Sequence, residues 1–403
     1  MKSKSNHWDY IVIGGGIVGL TIAAEIRKKF STKSILILEK EDKIGLHGSG
    51  RNSGVLHSGI YYKSNSLKAK LCGKGMRLMK EYCYKNKLPI NQIGKIIVPS
   101  TFEEDVTLGE LYARSKANKI NAEIIDKNKL RKMDASVFSY SGRALLLPET
   151  SVIDPNSVLQ SLIKDLKFYN VVIKKNEQVV SANSYKNEIS TNKSKYSYST
   201  LVNASGQYSD KVAHLFGAGS DYTVIPFKGS YHILDPKSPV KPTHLIYPVP
   251  DLKLPFLGVH SVTTIDGSIY FGPTAIPALG RENYHGMKDI DYKEVLSIIT
   301  PIIQKFKSDS EFRKHSYSEL KLLRKEGFVQ SVNKIFPKIQ HKYLNKSNKV
   351  GIRPQLYNKK LKTLEMDFII ERKDRSFHIL NSISPAFTSS FAIAQEVVNC
   401  FDQ

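Results

Sequence analysis

The sequence predicts a mixed α/β chain of two interleaved domains. One is built on a parallel sheet, the other on mostly antiparallel strands with helices. Three observations carry this. A strand, a glycine turn, a helix and a second strand follow one another within the first forty residues. Residues 221–275 alternate apolar and polar side chains between Pro and Gly turns. Strand signals recur near both ends of the chain, which points to two domains whose segments interleave along it.

The chain has 403 residues, enough for two or three domains at roughly 150 residues each. With 41% hydrophobic and 24% charged residues, a fibre or a disordered tail is excluded. The net charge is +23, but lysine supplies most of it and is scattered along the chain. Charge so dispersed, without a reading motif, gives no case for nucleic-acid binding. The three cysteines, Cys72, Cys83 and Cys400, make an odd count without metal-ligand spacing. They point to a reducing compartment and no metal site. The polar start from Met1 to Trp8 has no signal-peptide core. The most apolar early run, 11–24, is too short to span a bilayer. A cytoplasmic protein is expected.

In chain order, Tyr10 to Ile13 is a continuous apolar run, as in a parallel strand buried on both faces. Residues 17–29 follow with helical spacing, and Ile35 to Leu38 make the next strand, ending at Glu39. A helix is expected over 67–86, a strand over 93–99 and a helix over 103–119. Strands are expected at 145–148 and 171–173, a polar meander over 181–199 and an apolar strand running to Gly206. Residues 287–345 read as helical and basic. Strands at 367–371 and 376–380 precede a closing helix over 387–400. The expected division is 1–85, 146–220 and 350–403 for the cofactor domain, with 86–145 and 221–349 for the substrate domain.

Gly14-Gly15-Gly16-Ile17-Val18-Gly19 fits G-x-G-x-x-G between strand and helix. Gly14 permits a tight turn and Gly16 lets the backbone approach a pyrophosphate. Gly19 lets the helix press on the strand, and Glu39, twenty residues on, accepts from a ribose. The following stretch from His47 to Tyr62 is rich in glycine and hydrogen-bond donors, suited to lying against a flavin and its phosphates.

Three stretches, 9–20, 50–62 (Gly-Arg-Asn-Ser-Gly-Val-Leu-His-Ser-Gly-Ile-Tyr-Tyr) and 67–72, resemble the L-2-hydroxyglutarate oxidase/dehydrogenase family. That family lies within the D-amino-acid-oxidase-like FAD oxidoreductases. Later pieces agree: Pro226 to Gly229, Leu245 to Pro250, Pro255 to His260, Gly351 to Pro354 and His378 to Ala386. Ser230 stands where such proteins often carry an acid, Ser49 replaces a more usual Thr, and 281–350 matches poorly.

The resemblance implies a Rossmann-like FAD-binding domain of the glutathione-reductase-2/D-amino-acid-oxidase type and non-covalent FAD. It further implies oxidation of L-2-hydroxyglutarate, or a close L-2-hydroxy acid, by hydride transfer to flavin N5. Cofactor contacts are expected from Gly14, Gly16, Ile17, Val18, Gly19, Glu39 and Lys40. The loop supplies Gly50, Arg51, Asn52, Ser53 and Gly54. Val179, Ala204, Gly206, Ser384, Ala386, Phe387 and Thr388 complete the set. His57 is the expected base and His260 its partner, because imidazole titrates near neutrality. Arg353 is the expected carboxylate clamp, since a guanidinium grips a carboxylate with two parallel bonds. Tyr247 and Tyr61 are expected to add hydroxyl donors. Electrons would pass to oxygen or to a membrane quinone. Residues 305–349, with 12 Lys and Arg against 4 Asp and Glu, are the candidate for peripheral contact with the inner face of a membrane. An amine or amino-acid oxidase of the same fold, and a non-catalytic RNA-associated flavoprotein, stay open as alternatives.

Overall fold

The computed structural model describes residues 6–286, 288, 290 and 292–402. The polar start up to Ser5, and positions 287, 289 and 291 of the expected helical stretch, lie outside the described residues. The N-terminal unit folds as its pattern requires. The strand His7–Ile13 feeds the helix Ile17–Lys29, which returns to the strand Ile35–Leu38. All four residues of that second strand are buried, as expected of a parallel strand covered on both faces.

The main sheet has eight strands. Its parallel core orders Val172–Lys174, Ile35–Leu38, His7–Ile13, Lys195–Asn203 and Ser376–Ile379. The expected polar meander is an antiparallel extension of this sheet, Val179–Asn183 and Glu188–Thr191 on the start of Lys195–Asn203. Strand Ser376–Ile379 arrives from near the C-terminus, so both ends of the chain build one sheet.

A second sheet has six strands around one long antiparallel pair, Tyr222–Leu234 against Leu344–Asn358. A third, four-stranded sheet joins Leu245–Pro248, Lys95–Val98, Ala144–Leu147 and Glu123–Ile125. The expected boundaries at 145–146 and 349–350 each fall inside a strand. The basic stretch forms three helices, Tyr292–Ser308, Ser310–Lys321 and Lys325–Asn333. All three cysteines are free thiols.

The largest core cluster joins the N-terminal helix (Leu20, Ile22, Ile26), helix Leu67–Lys85 (Leu71, Met79) and the closing helix Ala386–Asn399 (Ile393, Val397). Gly75 sets how closely two of these pack. A Cβ there would lie 2.5 Å from the Thr388 carbonyl oxygen and from the Ser389 Cα. That close crossing fixes the start of the closing helix beside the loop carrying His57.

Candidate active site

One cavity of about 630 Å³ runs from Glu39 to Arg353 and is lined by residues of the eight-, six- and four-stranded sheets. At its first end the glycine turn works as its spacing requires. Gly14 has φ +108°, and its missing Cβ would otherwise lie 2.5 Å from the Ala204 carbonyl oxygen. Glu39 is held in place: its Oε2 accepts from the Gly15 N–H at 2.8 Å and its Oε1 from the Glu41 N–H at 2.9 Å. The N-terminal helix begins with no acid in its first turn and no side-chain cap from Gly16. Its positive end faces the cavity where Gly16, Ile17 and Val18 line it.

Lys40, Arg51, Asn52, Ser53, Val179, Ala204, Gly206, Ser384, Ala386, Phe387 and Thr388 also line this cavity. Several are pinned. Lys40 pairs with Glu41 and Glu282, and Arg51 donates to the Leu46 carbonyl at 2.8 Å while its guanidinium lies over Tyr284. Gly19, Gly50 and Gly54 do not line the cavity. A Cβ at any of them would run into a backbone oxygen (Gly14, Gly45 and Ile153 respectively), so they shape the turn and loop instead.

At the other end stand His57, Tyr247, His260 and Arg353. His57 is held through its backbone: its N–H donates to Thr388 Oγ1 at 3.1 Å, and its carbonyl accepts from the Cys72 thiol at 3.2 Å. His260 is fixed by its ring. Nδ1 lies 2.8 Å from the Gly258 carbonyl, so that nitrogen carries the proton and Nε2 keeps a lone pair. Burial, reinforced by the charges of Lys95, His260 and Arg353, pushes the His57 pKa down to about 3. Burial also takes His260 down to about 4, Lys95 adding to it and the Gly258 carbonyl opposing. Both imidazoles are therefore neutral at pH 7.

Arg353 comes from the long strand Leu344–Asn358, in register with Phe227. No acidic side chain pairs with it among the described residues, and its Nε is buried without a hydrogen-bond partner. Burial lowers its pKa to about 10, so it stays a cation at neutral pH. The Tyr247 hydroxyl is likewise buried and unpartnered. Tyr61 lies outside the cavity lining, its ring 4.7 Å from the Lys95 ammonium. Ser230 is also outside the lining; its N–H donates to Thr274 Oγ1 at 3.0 Å.

A family described as FAD dependent oxidoreductase matches residues 9–399. The chain belongs to that family. The oxidoreductase is 30% identical over 395 residues to an L-2-hydroxyglutarate dehydrogenase from Escherichia coli (strain K12), covering 97% of this chain and 92% of that protein. It is 33% identical over 408 residues to the mitochondrial L-2-hydroxyglutarate dehydrogenase of Mus musculus, covering 96% and 86%. Among solved structures it resembles the L-alpha-glycerophosphate oxidase of Mycoplasma pneumoniae with FAD bound. There the TM-score is 0.77 and the identity 22%, with 98% and 95% of the two chains covered. Glycine oxidase from Geobacillus kaustophilus gives a TM-score of 0.71 at 15% identity, with 98% and 95% covered.

FAD is the cofactor of this oxidoreductase, and the residues present fit it. Two helix N-termini open onto one cavity, each without a cap from its own N-cap side chain and without an acid in its first turn: Ile17–Lys29 and Ala386–Asn399. The first suits a pyrophosphate, and Glu39 lines the cavity beside it. The second suits the electron-rich edge of a flavin ring. The sequence reading did not single out Phe227, Tyr231, Phe256 and Thr274, which line the substrate end from the long pair and its neighbours. Their signal is weak, since apolar residues of alternating strands look alike whether they face a core or a cavity. Ser49 stands where a Thr is more usual, and its Oγ accepts from the Ile17 N–H at 2.9 Å. The Ser hydroxyl does there what a Thr hydroxyl would.

Proposed function

We propose that the oxidoreductase converts L-2-hydroxyglutarate, or a close L-2-hydroxy acid, to the 2-oxo acid. The observation that carries this is Arg353, a cation in a cavity wall with no acidic partner among the described residues. Such a guanidinium is stabilised by a ligand carboxylate. The full-length similarity to L-2-hydroxyglutarate dehydrogenases supports the choice of acid.

In this reading Arg353 clamps a substrate carboxylate and the Tyr247 hydroxyl donates to a second oxygen. His260 Nε2 takes the proton of the α-hydroxyl, because its other nitrogen is committed to Gly258. His57 sits opposite the start of the closing helix and serves as the hydrogen-bonding partner. This exchanges the roles expected from sequence. An arriving dianion raises the pKa of both imidazoles, since it offsets the cations that depress them. Bound FAD supplies the acceptor for the hydride that leaves the α-carbon.

The proposal includes a peripheral membrane contact, through which a quinone would take the electrons. Tyr317, Leu320 and Leu323 are exposed within the basic stretch 305–349, a composition suited to anionic lipid. No helix of the described residues is long and apolar enough to cross a membrane. The deciding experiment is anaerobic bleaching of bound FAD by L-2-hydroxyglutarate, its D isomer, glycerol 3-phosphate and amino acids. Bleaching by an amino acid in preference to the L-hydroxy acid overturns the substrate. Flotation with phosphatidylglycerol vesicles, reduced in Leu320→Asp/Leu323→Asp, tests the surface.

A further inference from the structure

Lys95 stands where its surroundings suit a leucine. It opens the strand Lys95–Val98, and its register partners on the two sides are Leu147 and Leu245. Both leucines belong to a buried apolar cluster with Ile97, Leu145, Tyr247 and Val262. Lys95 is itself fully buried. No acidic side chain pairs with it among the described residues. Its ammonium lies instead 4.7 Å from the Tyr61 ring and 5.0 Å from the Tyr247 ring. A buried ammonium is costly unless an anion or a polarisable face compensates it. Two phenol faces compensate it in part. The Tyr247 ring that faces Lys95 also stacks on His260 and lines the substrate end of the cavity.

We infer that Lys95 is a positioning residue whose charge acts through the Tyr247–His260 stack on the bound acid, the incoming dicarboxylate completing its charge balance. The inference rests on the dicarboxylate reading above and deepens it. It separates two tasks: Arg353 lines the cavity and grips, whereas Lys95 lies behind the lining and sets the potential.

The groups around it leave Lys95 free to respond. Burial brings its pKa down to about 7, with Cys72 opposing. Burial holds the phenols of Tyr61 and Tyr247 well above their ordinary range and raises the Cys72 thiol to about 12. His57 and His260 are neutral. Arg353 remains charged. Lys68, which lies near Arg353 and over the Tyr62 and Phe368 rings, is a second lysine that burial brings to about 7. A dianion favours the charged form of Lys95, so binding takes up a proton. Affinity then falls as pH rises through about 7.

The test is titration of 2-oxoglutarate into the oxidised holoenzyme, followed by the flavin spectrum between pH 6 and pH 9. Wild type should weaken over this range. Lys95→Met should retain FAD, melt no lower than wild type, bind on the order of tenfold weaker at pH 6 and show a flatter pH dependence, the effect of one charge in a low-dielectric wall. Lys95→Leu repeats the test with the side chain of the register partners. Lys68→Met should keep the part of the slope that Lys95→Met removes. Unchanged affinity and slope in Lys95→Met would overturn the inference alone. No binding of 2-oxoglutarate by wild type would overturn the substrate reading and this inference with it.

Discussion

The imidazole of His260 lies nearly parallel to the phenol of Tyr247, ring centroids 3.8 Å apart and planes 18° from one another. With Nδ1 bonded to the Gly258 carbonyl, this stacking leaves Nε2 as the one ring nitrogen free to accept a proton. His57 has its backbone, not its ring, tied to Thr388 and Cys72. Replacing His260 by Ala should therefore slow flavin reduction by L-2-hydroxyglutarate roughly 10²- to 10⁴-fold, the usual range for a lost general base. FAD should remain bound. His57→Ala should act mainly on KM. Anaerobic stopped-flow reduction of the two variants compares them directly, and a larger rate loss in His57→Ala would return the base to His57.

Arg353 allows a separation of charge from geometry. Arg353→Lys keeps a cation but loses the fork that matches a carboxylate, and Arg353→Met loses both. Charged hydrogen bonds of this kind contribute about 1.5–3 kcal/mol, so KM should rise roughly 10- to 100-fold in the Met variant and less in the Lys variant. The flavin absorbance should be unaltered, because the guanidinium is proposed to grip the substrate and not the flavin. A KM that stays put in both variants removes Arg353 from the carboxylate role.

The depressed histidines make a pH prediction. An ordinary imidazole would lose its lone pair as pH falls through 6.5. Here burial and nearby cations delay protonation to about 3 for His57 and about 4 for His260 in the free enzyme. The base is thus competent at pH 5, and the acid limb of kcat/KM should lie below that pH. On the alkaline side, loss of charge on Lys95 and Lys68, both near 7, should lower kcat/KM as pH rises. Initial rates between pH 5 and 9 decide it, and an acid limb near 6.5 would count against neutral, buried histidines.

What the chain announces locally and what it conceals follow from range. Glycine spacing, the apolar run from Tyr10 to Ile13 and the closing helix are all written in neighbouring residues. Each stands where its local pattern predicts. FAD binding was legible for the same reason. The pairing of Tyr222–Leu234 with Leu344–Asn358 was not, because more than a hundred residues separate the two strands and alternation does not encode a partner. That pairing is what brings Arg353 level with Phe227. Lys95 was concealed differently. One lysine at the start of an apolar run reads as a solvent-facing strand end, and only the register with Leu147 and Leu245 shows it buried. Tyr61 sits in a motif of the resemblance, yet its ring packs beside Lys95, outside the cavity lining.

Glu319 offers a stability test away from the chemistry. It is buried on the helix Ser310–Lys321 and accepts a hydrogen bond from the Ala275 N–H at 2.5 Å. His315 Nε2 stands 3.9 Å away, and burial holds His315 below its ordinary pKa, leaving it a poor cationic partner. Burial raises the Glu319 pKa from 4.5 to about 7, against the pull of the Ala275 bond. A carboxyl whose folded pKa is raised binds more protons folded than unfolded. Stability should therefore fall as pH rises from about 4.5 through 7. Glu319→Gln removes the charge and keeps an oxygen for Ala275. It should raise Tm by a few degrees at pH 8, with the gain shrinking towards zero near pH 5, where the carboxyl is already protonated in the fold. Calorimetry of the two holoenzymes at pH 5 and pH 8 measures the difference. An equal gain at both values would mean that packing, not ionisation, sets the cost of Glu319.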